Sequence, residues 1–251
     1  MELLDQICTV CQGLGDKLCG VYLHGSLTFG CFCWEQSDVD FLVVVKEPLT
    51  LAEKKTFMER LLALEPLCPP KGMEMSIVLD RYCRKFIYPT PYELHYSNTH
   101  RQRAMADLEE YCRSMNGTDK DLAAHFTVIR TVGQVLWGES INNLFVAVPS
   151  ENYWDSLLYD IDHAVEDIVE NPVYIILNLC RVLAYKWDQK ILSKKGGGLW
   201  GLERLPERWH SLICAALKAY AGEAYLSNGE EILFAKFMLK EIMQPQKEET
   251  V

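Results

Sequence analysis

A strand that opens on two carboxylates is the strongest constraint in this chain. Ser37-Asp38-Val39-Asp40 runs into Phe41-Leu42-Val43-Val44-Val45, and eleven residues separate Asp38 from the Gly-Ser turn that ends Leu23-His24-Gly25-Ser26. Strand side chains alternate faces with a period of two, so Asp38 and Asp40 share one face and Val39 and Phe41 take the other. Two hard oxygen donors then converge on one point, a pairing suited to Mg²⁺, which favours carboxylates together with substrate phosphates. Gly25 lets backbone approach a phosphate closely, and Ser26 offers a hydroxyl and an amide to its oxygens. A third carboxylate lies in Met73-Glu74-Met75-Ser76-Ile77-Val78-Leu79. The alternation there sets Glu74 and Ser76 opposite Met73, Met75 and Ile77, and Glu74 is a candidate second-metal ligand or general base.

The rest of the first half fits around these strands. Residues 2 to 18 read as an amphipathic helix leading into a strand over Val21 to His24. Thr50-Leu51-Ala52-Glu53 has the spacing of a capping box and opens a helix to about Leu64, stopped by Pro66, Pro69 and Pro70. Strand, turn, strand, helix, strand predicts a small mixed sheet with helices on one face. The aromatic stretch with Tyr88, Tyr92, His95 and Tyr96 either helps hold a substrate or closes the sheet edge.

From about Arg103 the period is helical and stays so. Phe126, Ile129, Arg130 and Val132 to Leu136 mark one helix, and Trp154, Leu157, Leu158, Ile161, Val165 and Ile168 a second. Pro172 opens a third, since proline suits the first helical turn. Further helices are expected near 206–221 and 228–243. The predicted fold class is α+β, a small mixed-sheet domain over residues 1–104 followed by an α-helical bundle over 105–251. Two readings stay open for the basic groups of the second half. Arg181, inside an apolar helix, and Lys194, in the basic glycine-rich connection Lys194-Lys195-Gly196-Gly197-Gly198, would suit the outer phosphates of a triphosphate, one as a planar fork and the other as a reaching point charge. Otherwise they are a structural salt bridge beside an ordinary flexible loop.

Charge narrows the partners. Thirty-five acidic against 25 basic residues leave a formal net charge of −10, which argues against a nucleic-acid partner and would attract a cationic substrate. The start of the chain lacks a basic segment and the apolar runs are strand-sized, so no signal peptide, membrane span or membrane partner is expected and a cytoplasmic location follows. Cys8-x-x-Cys11 falls within a helical apolar pattern, and buried free thiols fit the ten cysteines better than zinc.

With these residues in view, the chain resembles the nucleotidyltransferase superfamily and, more narrowly, the streptomycin/spectinomycin adenylyltransferases. The ordered set of strand, Gly25-Ser26, Asp38-x-Asp40, apolar strand, helix and Glu74 strand carries the resemblance. So do Asp121-Leu122-Ala123, Asn171-Pro172-Val173-Tyr174, Leu177-Asn178-Leu179-Cys180-Arg181 and Glu203-Arg204-Leu205-Pro206 further on. It implies a nucleotidyltransferase domain followed by a helical domain that completes the ATP and substrate sites, with the cleft between them as the active site. By that resemblance Gly25, Ser26 and Ser37 meet the nucleotide phosphates, Asp38, Asp40 and Glu74 hold Mg²⁺ with Glu74 also the base, and Asp121, Arg181, Lys194 and Tyr220 complete the ATP site. It implies adenylyl transfer from ATP to a hydroxyl of a small cationic aminoglycoside or aminocyclitol antibiotic, conferring resistance, by a monomer. Recognition would fall to the acidic segment from Asp160 to Asn171, with Asp167, Glu170, Asn171 and Tyr174 as the substrate residues. The tryptophan those enzymes use for streptomycin, expected near Asn98 to His100, is missing, so spectinomycin is favoured over streptomycin. The alternatives on the same fold are a nucleotidyltransferase acting on a non-antibiotic metabolite or a protein, and a non-catalytic nucleotide-binding module.

Overall fold

The computed structural model describes residues 2–225, Ser227 and 229–245. By packing, the chain divides into two compact units, Met1–Ser156 and Leu157–Val251. In the first, α1 (Glu2–Gln12) is followed by β1 (Leu18–Leu23), the single turn α2 (Gly25–Thr28), β2 (Val39–Val45), α3 (Leu51–Leu62) and β3 (Met73–Leu79). Then come α4 (Asp80–Arg84), β4 (Thr90–Tyr92), β5 (Leu94–Tyr96), α5 (Arg101–Ala106), α6 (Leu108–Ser114), β6 (Gly117–Asp119), α7 (Leu122–Val132), β7 (Gln134–Gly138), α8 (Ile141–Leu144) and α9 (Ser150–Tyr159), within which the division falls.

Five strands form a mixed sheet in the order β5-β3-β2-β1-β7. Only β2 and β3 run parallel, and α3 is the crossover that a parallel pair needs. The capping box is present: the Glu53 amide donates to Thr50 Oγ1 at 3.3 Å and the Thr50 amide to Glu53 Oε2 at 2.7 Å. The unbroken apolar run of β2 follows from burial on both faces. Val39, Phe41, Val43 and Val45 pack with Met75, Ile77, Phe57 and Leu61 on one side. Tyr22, Leu42, Val44 and Val78 pack with Leu122, Phe126 and Ile129 on the other, each large side chain so buried contributing roughly 1.5–3 kcal/mol. The sheet is therefore covered on two faces, where the sequence pattern suggested helices on one.

That second cover moves the boundary. Residues 105–156, assigned from their pattern to the helical domain, pack within the first unit. The continuous helical period read from 126 to 136 ends at Val132, and β7 then pairs antiparallel with β1, Tyr22 opposite Val135 and Val21 opposite Trp137. The aromatic stretch before Asn98 closes the opposite edge, where β5 pairs with β3 and buries Leu94 and Tyr96.

The second unit is helical: α10 (Ala164–Asp167), α11 (Pro172–Asp188), α12 (Lys194–Arg204), α13 (His210–Tyr220) and α14 (Glu231–Met243). The last starts at Glu231; residue 228, its expected start, lies outside the described residues. The 17-residue α11 is the central helix, with Ile175, Ile176, Leu179, Val182 and Leu183 buried and α12, α13 and α14 packed around it. The helix expected over residues 154–168 stops at Tyr159 and resumes as the short α10. The basic glycine-rich run is no loop but the first turns of α12, capped by Ser193, whose Oγ accepts the Gly196 amide at 2.9 Å. Its glycines let α12 lie directly on α11: a Cβ on Gly197 would stand 2.7 Å from the Arg181 amide nitrogen, and one on Gly198 2.6 Å from Leu177 Cδ2. All ten cysteines are free thiols. Among the described residues no helix is long and apolar enough to cross a membrane.

Candidate active site

The parallel register of β2 and β3 sets Asp40 beside Glu74. In a parallel pair, neighbours in register project from the same face, so the third carboxylate joins the two that the Asp-x-Asp spacing already brought together. Asp38, Asp40 and Glu74 each offer an oxygen, and these oxygens all lie within 4.8 Å of one another. It is the one group of this kind among the described residues, and its donors are all hard carboxylate oxygens, a set that fits Mg²⁺ rather than a thiophilic metal.

Gly25 packs against this cluster. Its φ is +67°, in the left-handed region, and a Cβ there would lie 1.7 Å from Asp40 Oδ2. The His24 amide donates to the Asp40 carbonyl at 3.0 Å, so the turn is tied to the strand bearing the carboxylates. Ser26 Oγ is buried and has no hydrogen-bond partner among the described residues, which leaves its hydroxyl available to a ligand. Ser37 is buried and accepts the Cys33 amide at 3.1 Å, while its own amide donates to the Cys33 carbonyl at 2.8 Å. It closes the loop that returns the chain from the Gly-Ser turn to Asp38.

Asp121, at the N-cap of α7, and His125 within it stand one turn apart. His125 Nε2 is 3.3 Å from Asp121 Oδ2 and 3.7 Å from Glu74 Oε1, and the His125 side chain is only 16% exposed. Burial opposes charging this ring, but Asp121, which also hydrogen-bonds it, and Glu74 raise its pKa to about 10. Its neighbour His24 lies 4.7 Å away between ring centroids, and burial, then the proximity of His125, push His24 well below the usual range. Two histidines in contact thus shift in opposite directions: at His24 burial outweighs the pull of Asp121, and at His125 the carboxylates outweigh burial. Neither is among the residues expected from the sequence; the Asp121-x-x-x-His125 spacing is the signal that could have found the second. Beside Glu74 on β3, Ser76 Oγ is 2.9 Å from His95 Nδ1, and burial lowers the pKa of that ring to about 4.

In the second unit a different set comes together. Asp160, at the break after α9, is met by three side chains from one face of α11. Tyr174 donates its hydroxyl to Oδ1 at 2.8 Å, Asn178 its amide to Oδ2 at 2.8 Å, and Arg181 lies 3.3 Å from Oδ2. Lys194 sits over the Tyr174 ring at 4.4 Å, a cation–π contact. The structural ion pair considered for Arg181 is therefore present, whereas the flexible loop beside it is not. Asp167, Glu170 and Asn171 are exposed around α10 and the start of α11, and Tyr220 is the last residue of α13.

Comparison with known proteins agrees with this architecture. Residues 143–241 match the family described as aminoglycoside adenylyltransferase, C-terminal domain. The chain is 26% identical over 230 residues to an aminoglycoside (3'') (9) adenylyltransferase of Klebsiella pneumoniae, covering 88% of this chain and 85% of that one. It is 24% identical over 245 residues to a spectinomycin 9-adenylyltransferase of Campylobacter jejuni, covering 96% and 91%. In fold it is similar to a spectinomycin adenyltransferase of Enterococcus faecalis crystallised with ATP and spectinomycin, with a TM-score of 0.80, 20% identity and coverage of 97% and 99%. A mixed-sheet unit carrying Gly25-Ser26 and three convergent carboxylates, followed by a segment that matches that C-terminal domain, makes this chain similar over most of its length to the aminoglycoside and spectinomycin adenylyltransferases.

Proposed function

We propose that the protein is a Mg²⁺-dependent adenylyltransferase that transfers AMP from ATP to a hydroxyl of a small cationic aminocyclitol, with spectinomycin the favoured acceptor and streptomycin a poorer one, and so confers resistance. The observation that carries this reading is the convergence of Asp38, Asp40 and Glu74 against the Gly25-Ser26 turn. The names of the relatives, all adenylyltransferases of aminoglycosides or of spectinomycin, support the acceptor class.

Asp38 and Asp40 would hold the metal, with Glu74 as a further ligand. When bound, Mg²⁺ supplies neutralisation of the charge that builds on the phosphoryl oxygens during in-line displacement. Glu74 takes the proton of the acceptor hydroxyl as its oxygen bonds to the α-phosphorus, and pyrophosphate leaves with the electron pair of the broken bond. Ser26, through its buried hydroxyl, and Ser37 are assigned to the nucleotide phosphates, and Arg181 and Lys194 to the charge on the departing pyrophosphate. Asp121 and Tyr220 are assigned to the nucleotide, and Asp167, Glu170, Asn171 and Tyr174 to the acceptor. The net charge of −10 favours a polycationic acceptor over a polyanionic one.

Pyrophosphate release by the purified protein with Mg·ATP, offered spectinomycin, streptomycin and other aminoglycosides in turn, tests the proposal, with Asp40→Asn as the blank. Release with spectinomycin, abolished by the substitution, is expected. Intact binding of Mg·ATP with no release across the panel would reject the antibiotic as acceptor.

A further inference from the structure

Asp160 lies in the acidic stretch that the resemblance assigns to drug recognition, yet its carboxylate is engaged inside the protein. Tyr174, Asn178 and Arg181 follow one another at spacings of four and three along α11, which places them on one face, and all three converge on it. Asn178 is fully buried, and its side-chain carbonyl has no partner among the described residues, so its amide is there for Asp160. Tyr174, gripped at its hydroxyl by Asp160, lies beneath the Lys194 ammonium. One carboxylate therefore orients both cations, Arg181 directly and Lys194 through the phenol ring.

We infer that Asp160 is a positioning residue for the phosphate-binding pair Arg181 and Lys194, and that it acts on nucleotide affinity rather than on the antibiotic. The inference rests on the adenylyltransferase reading, in which those cations serve ATP. Its physical basis is preorganisation. Arg181 and Lys194 are long side chains that lose rotamer freedom when they engage an anion, and an existing tether means part of that loss is already met. The packing of Gly197 on the Arg181 backbone fixes the other end of the device, since it sets the start of α12, and with it Lys194, against α11. A carboxylate suits this role because it has two oxygens to share, Oδ1 taking the tyrosine while Oδ2 takes the asparagine and the arginine.

The test is Asp160→Asn in the full chain, which keeps volume and one acceptor oxygen but removes the charge. Calorimetry of Mg·ATP alone, needing no acceptor, should show affinity about tenfold weaker, the scale of a lost charge-assisted hydrogen bond. KM for spectinomycin, which Asp160 reaches only through the Tyr174 hydroxyl, should change by less than the ATP affinity does, and Asp160→Glu should restore part of the ATP affinity. In an Arg181→Gln background the same Asp160→Asn change should have a clearly smaller effect on ATP affinity, what remains acting through Tyr174 and Lys194, a coupling that general loss of stability does not produce. A rise in KM for the antibiotic with ATP affinity unchanged would make Asp160 a drug contact and overturn the inference. So would unchanged or tightened ATP binding, or full additivity with Arg181→Gln. If the wild type binds Mg·ATP normally and the variant does too, this inference fails alone; if the wild type does not bind Mg·ATP, it falls together with the adenylyltransferase reading.

Discussion

Replacing Gly25 by alanine asks whether the glycine serves the carboxylates or only the backbone. Two costs follow from the geometry. At φ +67° a Cβ incurs about 1–2 kcal/mol of left-handed backbone strain. The same Cβ would stand 1.7 Å from Asp40 Oδ2 and 2.6 Å from its Cγ, so the carboxylate must retreat by more than about 1 Å before the contact is tolerable. A reacting constellation displaced by that much loses about 100-fold in rate, or about 2.7 kcal/mol of transition-state stabilisation. The natural control is Gly30→Ala. Gly30 has φ +68°, and nothing lies within 4 Å of a Cβ there, so it carries the strain without the collision. Urea denaturation should show the loss due to strain alone in Gly30→Ala and at least that loss in Gly25→Ala. Pyrophosphate release at saturating Mg·ATP and spectinomycin should fall about 100-fold in Gly25→Ala and stay within about threefold of wild type in Gly30→Ala. Equal activity losses in the two variants, or a Gly25→Ala enzyme of near-normal rate and Mg²⁺ dependence, would show that Gly25 does not set the position of Asp40.

Other outcomes follow from the same geometry. Asp40→Asn should lower the rate by roughly three orders of magnitude or more while the melting temperature changes little, since the lost charge acts on the transition state; stopped pyrophosphate release with an unchanged melt is the expected record. Gly197→Ala, whose Cβ would lie 2.7 Å from the Arg181 amide nitrogen, should destabilise the protein by about 1–3 kcal/mol and weaken Mg·ATP binding, read by denaturation and calorimetry. Burial lowers the pKa of His95 to about 4, so between pH 6.5 and 4 the unfolded chain binds the proton that the folded one refuses, and stability is lost as pH falls through that window; His95→Gln should flatten this part of the curve of stability against pH. His125 has the opposite sign. Burial works against its charge, but Asp121 and Glu74 raise its pKa to about 10, so its contribution is complete below pH 6.5 and is lost as pH rises toward 10; His125→Gln should remove that alkaline slope in chelator-treated protein.

How much of the site was legible depended on the range of the interactions that build it. The period of two placed Asp38 with Asp40 and Glu74 with Ser76, because alternation is a property of a single strand. The Thr50–Glu53 cap was readable for the same reason, as both of its hydrogen bonds lie within three residues. The His125 contact with Glu74 was not, since it joins residues 51 positions apart and depends on where α7 lands on the sheet.

Short-range periodicity, capping and turn chemistry in the sequence were enough for the carboxylate-bearing strands, the capped α3 and the central apolar helix that carries Arg181. The tertiary structure alone decided that β3 pairs in the register that sets Glu74 beside Asp40, and that β7 returns to β1 and draws residues 105–156 into the first unit. It alone decided that the glycine-rich run near Lys194 is helix, since three glycines favour a loop until a neighbouring backbone makes their lack of side chain an advantage. It also decided that Asp160, one acid in a run of acids, is held by Tyr174, Asn178 and Arg181. Register, edge pairing and close helix approach are settled by which surfaces bury one another across long separations in sequence, and no window of neighbouring residues contains that information.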